Sequence, residues 1–140
     1  MALTKTQRAE RSGYIGGTDA ASVLGLSRYK SAAGLWAEKT GAIIPKDKDG
    51  ELPIILGNML EDVVADLYTF KTGIKLQRVK EILVHPDYDF IRCQIDRVTV
   101  GLPEREIVEC KTASAYKAGE WNNDIPSEYI LQGLHQLMVM

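Results

Sequence analysis

Two apolar segments separated by a four-residue turn set the tightest limit on how this chain can fold. The first is Ile91-Arg92-Cys93-Gln94-Ile95-Asp96-Arg97-Val98-Thr99-Val100; the second is Arg105-Glu106-Ile107-Val108-Glu109-Cys110-Lys111. Gly101-Leu102-Pro103-Glu104 lies between them, and the three pieces together read as a hairpin. Pairing the strands brings Asp96, Glu109 and Lys111 together, and period-two alternation places Glu109 and Lys111 on one face. Two carboxylates aimed at one point, with an amine beside them, make a divalent-metal site with a water activator built in.

The rest of the chain supplies helices on either side of this hairpin. Thr18 to Gly25 reads as a short helix with Thr18 as N-cap and Gly25 as its left-handed stop. A second helix begins at Ser31, runs through Leu35 and Trp36, and stops at Gly41. Pro45 to Gly50 is a charged, polar loop. A longer helix spans about Pro53 to Lys71, with Gly73 as stop and an apolar stripe of Leu56, Leu60, Val63, Val64, Leu67 and Phe70. A strand follows at about Lys75 to Val84, then a turn at His85 to Tyr88 ahead of the hairpin. Helix is expected again around Ser114 to Gly119. A last helix opens near Ser127 and carries Tyr129, Leu131, Leu134, Leu137 and Met138. Helices, then strands, then helices give an α/β (α+β) class with the sheet in the middle.

Bulk properties narrow the function. The 140 residues form one domain with room for a core, and 45% hydrophobic with 26% charged residues is ordinary for a globular protein. No apolar run approaches the roughly 20 residues of a membrane span, and Met1 to Gln7 has no signal-peptide character. A net charge of −2 argues against bulk electrostatic binding of nucleic acid while allowing a carboxylate site neutralised by metal. Cys93 and Cys110 are the only cysteines and are expected as small buried thiols in a reducing cytoplasm. The chain ends in an apolar run at Val139-Met140, so a further strand and helix are expected to belong to the fold.

Each candidate residue also has a plain structural role to compete with. Asp96 in an apolar strand is costly unless paired, and Arg97 or Arg92 are the neighbours that could pair it. Glu61, in Gly57-Asn58-Met59-Leu60-Glu61, stands at the edge of its helix's buried face. It can either reach the site or remain a solvated surface glutamate. His85 reads as a turn residue and His135 as a helix-surface residue. Trp36 is expected in the core. Tyr14 and Trp121 are aromatic side chains able to stack on bases.

Taken in order, these motifs resemble the PD-(D/E)xK nuclease superfamily, and within it the phage lambda exonuclease-like, YqaJ-type viral recombinase family. The resemblance runs from about Arg11 to Gln136. It rests on Ile15-Gly16-Gly17-Thr18-Asp19-Ala20, Gly57-x-x-x-Glu61, Asp96 in its strand, Glu109-Cys110-Lys111, and Tyr129-x-x-Gln132. Gln94-Ile95 precedes Asp96 where the superfamily name has Pro-Asp.

The resemblance implies a restriction-endonuclease-like core, a central mixed sheet flanked by helices, shortened at its C-terminus. It implies Mg2+ or Mn2+, two ions, bridged by Asp96 and held by Glu109, the Cys110 backbone carbonyl and Glu61. Lys111 would orient or deprotonate the attacking water and Gln132 would position it. A terminal 5′-phosphate would be gripped by Arg11, Thr18, Gln94 and Lys117. The implied activity is exonucleolytic, 5′ to 3′, on linear duplex DNA in phage-type recombination. The implied setting is the bacterial host cytoplasm, with a homotrimeric ring and a single-strand annealing protein as partner. A restriction- or repair-type endonuclease, or an inactive DNA-binding or assembly fragment, is the alternative.

Overall fold

Local signals in the sequence account for where the helices begin and end. The computed structural model describes residues 10–46, 48 and 50–140; Met1 to Gln7, and Asp47 and Asp49 of the polar loop, lie outside the described residues. Helix α1 (Ala20–Val23) is entered through a 3-10 turn at Gly17–Asp19. Helix α2 (Ala32–Lys39) is capped by Ser31, whose Oγ accepts the Gly34 N–H at 3.0 Å. The long α3 (Leu52–Thr72) has Pro53 in its first turn, where a missing N–H leaves no partner unsatisfied. It ends at Gly73 with φ of 73°, a left-handed position that disfavours a side chain. A 3-10 segment at Ala115–Trp121 replaces the helix expected near Ser114, and α4 (Ser127–Val139) closes the chain.

The strands are shorter than the sequence predicts. They are β1 (Lys75–Arg78), β2 (Leu83–Val84), β3 (Arg92–Cys93), β4 (Arg97–Val100) and β5 (Ile107–Val108). β4 lies between β1 and β5, antiparallel to both, while β2 and β3 form a separate antiparallel pair. The expected mixed sheet is therefore realised as two antiparallel pieces. Parallel pairing among the described residues is confined to the bridge between Ile15 and Ile91. The Lys75–Val84 and Ile91–Val100 segments each divide into two strands.

A packing requirement explains the second division. In a straight strand Cys93 and Ile95 would face one way and Val98 the other. The break at Gln94 to Asp96 lets all three join one core cluster with Val139 of α4. Ile95 at its centre is fully buried. α4 packs on the Gly17–Asp19 turn, α1 and β3. At Gly17 the approach is close, because a Cβ there would meet Gln132 Cγ at 3.2 Å.

The apolar stripe of α3 does not enter this core. Leu56, Leu60, Val63 and Leu67 are exposed, and Phe70 is 87% exposed; the helix turns Glu61 and Ala65 inward instead. Trp36 is also exposed, since its neighbour Leu35 takes the buried position one residue earlier on α2. His135, expected on the surface, is buried, with Nε2 2.9 Å from the Arg92 carbonyl oxygen.

These placements predict opposite outcomes for two truncations in urea denaturation of the 140-residue chain. Ile95→Ala should cost about 2–5 kcal/mol. Phe70→Ala should stay within about 0.5 kcal/mol of the parent. Equal losses would show that the α3 stripe is core.

Candidate active site

The β4–β5 register builds the centre of the site. Arg97 stands opposite Val108 and Val98 opposite Ile107, so continuing by one step sets Asp96 against Glu109. Asp96, buried, accepts the Cys110 N–H on Oδ2 at 3.0 Å, which ties its carboxylate to the second strand's exit. The Arg97 guanidinium does not turn to that carboxylate. It donates to the Asp96 backbone oxygen and to Glu61 Oε1, each at 2.7 Å, and also pairs with Asp62.

Glu109 accepts three side-chain hydrogen bonds. Its Oε1 accepts from Lys111 Nζ at 2.7 Å and Gln132 Nε2 at 2.6 Å, and its Oε2 accepts from Gln136 Nε2 at 2.8 Å. The Lys111 ammonium also lies over the Tyr129 ring, 5.2 Å from its centroid. That ring is stacked on Trp121 at 5.1 Å, which accounts for a tryptophan in an otherwise polar stretch.

Glu61 reaches the site's edge from α3. Glu61 and Arg97 side chains are 6% and 5% exposed, forming a buried ion pair. Burial acts to raise the Glu61 pKa, yet hydrogen bonding and charge, Arg97's included, hold it below the ordinary value. The sequence offered no sign that Arg97 would take Glu61 as partner, because the two are far apart along the chain.

Both thiols stay protonated at neutral pH. Burial, reinforced by the Glu109 charge, pushes Cys93 up to about 11, and burial with Asp96 nearby does the same for Cys110. Cys93 is buried and Cys110 half-buried, and neither is in a disulfide.

The four residues expected at a 5′-phosphate are only partly brought together. Arg11 and Thr18 line a cleft of about 890 Å3 with Gln132, Tyr129, Lys39 and Arg28. The Thr18 hydroxyl accepts from the Arg11 guanidinium, so it does not cap α1 as predicted. Asp19, buried beneath, accepts the Gly16 N–H at 3.0 Å and pairs with Lys39 at 2.9 Å. Lys39 also donates to the backbone oxygens of Arg11 and Tyr14, fixing the loop that presents Arg11. Tyr14 is buried between the Lys39 and Arg92 cations and is not free to stack on a base. Lys117 lies off the cleft wall and donates to the Tyr29 hydroxyl at 3.0 Å. Gln94 does not line the cleft, and its backbone oxygen accepts from Gln136 at 3.0 Å.

Gln136 is the residue that reading the sequence missed. Its signal was present: Gln132 and Gln136 are four apart, on one face of an apolar helix.

Comparison with known proteins decides the family. A model of the YqaJ-like viral recombinase domain matches residues 8–140. The chain belongs to the YqaJ-like viral recombinase domain family. It is 43% identical over 132 residues to the protein YqaJ of Bacillus subtilis (strain 168), covering 94% of this chain and 40% of that protein. It thus spans less than half the length of that relative. Its fold is that of the alkaline exonuclease LHK-Exo from Laribacter hongkongensis. The TM-score is 0.75 at 18% identity, covering 98% of this chain and 69% of that one. The same exonuclease in complex with dAMP gives a TM-score of 0.76 at 20% identity, with 97% and 68% covered.

Carboxylate oxygens suit a hard divalent cation. Among the described residues no three His, Cys, Asp or Glu side chains already form a closed ligand group. What the strand pair brings close is the carboxylates of Asp96 and Glu109, on facing positions of the β4–β5 register. Mg2+ is commonly held this way, by one or two carboxylates with waters and substrate phosphate filling the remaining positions.

Two measurements test this description. Replacing Arg97 by Leu removes one charged hydrogen-bond partner of the buried Glu61 and should cost about 1.5–3 kcal/mol in denaturant unfolding; a loss under about 0.5 kcal/mol would contradict the buried pair. The raised Cys93 pKa gives stability that is intact below the unfolded thiol value, about 8.5, and is lost as pH rises toward about 11. The denaturation midpoint should therefore fall over that interval, and Cys93→Ala should flatten the fall.

Proposed function

We propose that this chain carries the catalytic site of a metal-dependent deoxyribonuclease acting exonucleolytically on linear duplex DNA. The observation that carries the reading is the convergence of Lys111 and Gln132 on one oxygen of Glu109, with Asp96 anchored to Cys110 N across the strand pair. Two acidic side chains, an amine and an amide at one strand exit form a machine for activating water against a phosphodiester. The family and the exonuclease fold support the same reading.

Asp96, Glu109, the Cys110 carbonyl and Glu61 would hold Mg2+ or Mn2+, two ions. These ions supply the Lewis acidity that lowers the pKa of bound water and offsets charge on the scissile phosphate. Lys111, fixed between Glu109 Oε1 and the Tyr129 face, orients the attacking water and takes part in moving its proton. Gln132 fixes Glu109 and, from the cleft wall, faces the same space as Arg11 and Thr18. Arg11 is suited to the terminal phosphate, since a guanidinium forks onto phosphate oxygens. The dAMP bound by LHK-Exo accords with a nucleotide monophosphate product. Polarity from the 5′ end, a trimeric assembly and a single-strand annealing partner in phage-type recombination complete the proposal. Among the described residues no helix is long and apolar enough to cross a membrane.

The test compares 5′-phosphorylated linear duplex with a closed circle in Mg2+ and in Mn2+. The linear form alone should be degraded, chelation should abolish the activity, and Lys111→Ala should lower the rate by about 10²-fold or more. Cutting of the circle would replace the exonuclease by an endonuclease. Absence of cleavage by folded protein would leave a DNA-binding or assembly role.

A further inference from the structure

We propose that Gln136 is a positioning residue for the metal-ligand carboxylate of Glu109. The inference rests on the metal-site reading above and extends it to a side chain outside the family motif quoted for this chain. Gln136 is 1% exposed, among the most deeply buried side chains of the structure. Its Nε2 makes two bonds, to Glu109 Oε2 at 2.8 Å and to the Gln94 backbone oxygen at 3.0 Å. Its Oε1 is buried without a hydrogen-bond partner among the described residues.

A core position with a purely structural task would be better served by an apolar side chain. A buried amide with an unsatisfied oxygen carries a desolvation cost that Leu or Met avoids. What the amide provides is geometric. Glu109 sits just past the end of β5, where the strand ladder no longer holds it. Lys111 and Gln132 both act on Oε1. The Gln136 bond gives Oε2 a donor of its own, so the carboxylate is held through both oxygens. The second Gln136 bond ties that hold to the break between β3 and β4, close to Asp96 in sequence. Hydrogen-bond partners that orient a ligating carboxylate commonly set metal affinity as strongly as they set activity.

The readout is Mn2+ binding by isothermal calorimetry on the whole chain, alongside thermal melting without metal. Gln136→Met, close in volume and without a donor, should weaken Mn2+ binding by about 10–100-fold. Gln136→Asn, which keeps an amide with one methylene less reach, takes its place if the methionine variant does not fold, with the same direction expected. A lowered melting temperature with unchanged Mn2+ affinity would overturn the inference and leave a structural amide. A parent chain that cleaves DNA and variants that bind Mn2+ as it does would overturn the inference alone. A parent chain that binds no Mn2+ would overturn the metal-site reading and the inference with it. Weakened binding in the variants of a chain that cuts no DNA would uphold the inference against the nuclease reading.

Discussion

The way one carboxylate is held links α4, the turn beneath it and the strand break. Glu109 receives three donors: one from its own strand exit and two from α4, a helix more than fifteen residues further along the chain. For both glutamines to reach it, α4 must lie with its polar stripe inward. Gln132, His135 and Gln136 are accordingly buried while Leu134, Leu137 and Met138 face out. For α4 to lie that close, the turn beneath it must lack a side chain, and Gly17 supplies that. For Gln136 to find a second acceptor, the strand opposite must present a carbonyl not committed to the sheet, and the break at Gln94 provides one. Helix orientation and glycine position serve this bonding, and the strand break serves both it and the apolar core.

Charge balance away from that carboxylate works differently with depth. Glu61 and Arg97 are withdrawn from water together, with Arg78 beside Glu61 and Asp62 on Arg97, so removal of either side chain weakens a buried charge network. Asp19 and Lys39 form a comparable, partly buried pair under the N-terminal turn, where Lys39 adds two backbone acceptors. Arg28, by contrast, links Glu120 and Glu128 at the surface. Its geometry joins the loop after α1 to the 3-10 segment and the start of α4, yet solvent screening leaves such pairs little stabilising effect. The buried pairs hold the site's framework, and the exposed one aligns its rim.

What could be read in the sequence was local. Turn glycines, the Ser31 cap and the proline at the head of α3 each act within a few residues, and the elements they delimit stand where predicted. The Glu109–Lys111 contact was legible for the same reason, since strand alternation is a local rule. What was not legible depends on pairing at a distance. The sequence offers Arg97 or Arg92 as partners for the Asp96 carboxylate, but the Arg97 guanidinium takes the Asp96 backbone oxygen and spans to Glu61 on another element. His135 and Trp36 were misplaced because apolar patterning assumes that hydrophobic faces point inward. His135 is buried by its bond to a backbone oxygen, and Trp36 is displaced by its neighbour Leu35.

The failure of apolar patterning on α3 and α4 is itself informative. Both helices carry regular hydrophobic stripes, yet the side chains that enter the interior include Glu61 on one and Gln132, His135 and Gln136 on the other, beside Ala65 and Val139. Burying Glu61, Gln132 and Gln136 in place of available leucines incurs desolvation that folding alone does not call for. Gln132 and Gln136 meet the Glu109 carboxylate from α4, while Glu61 on α3 bonds Arg97, the residue next to Asp96. A cost accepted on two helices, directed at a single place between them, marks that place as the part of the molecule the sequence is built around.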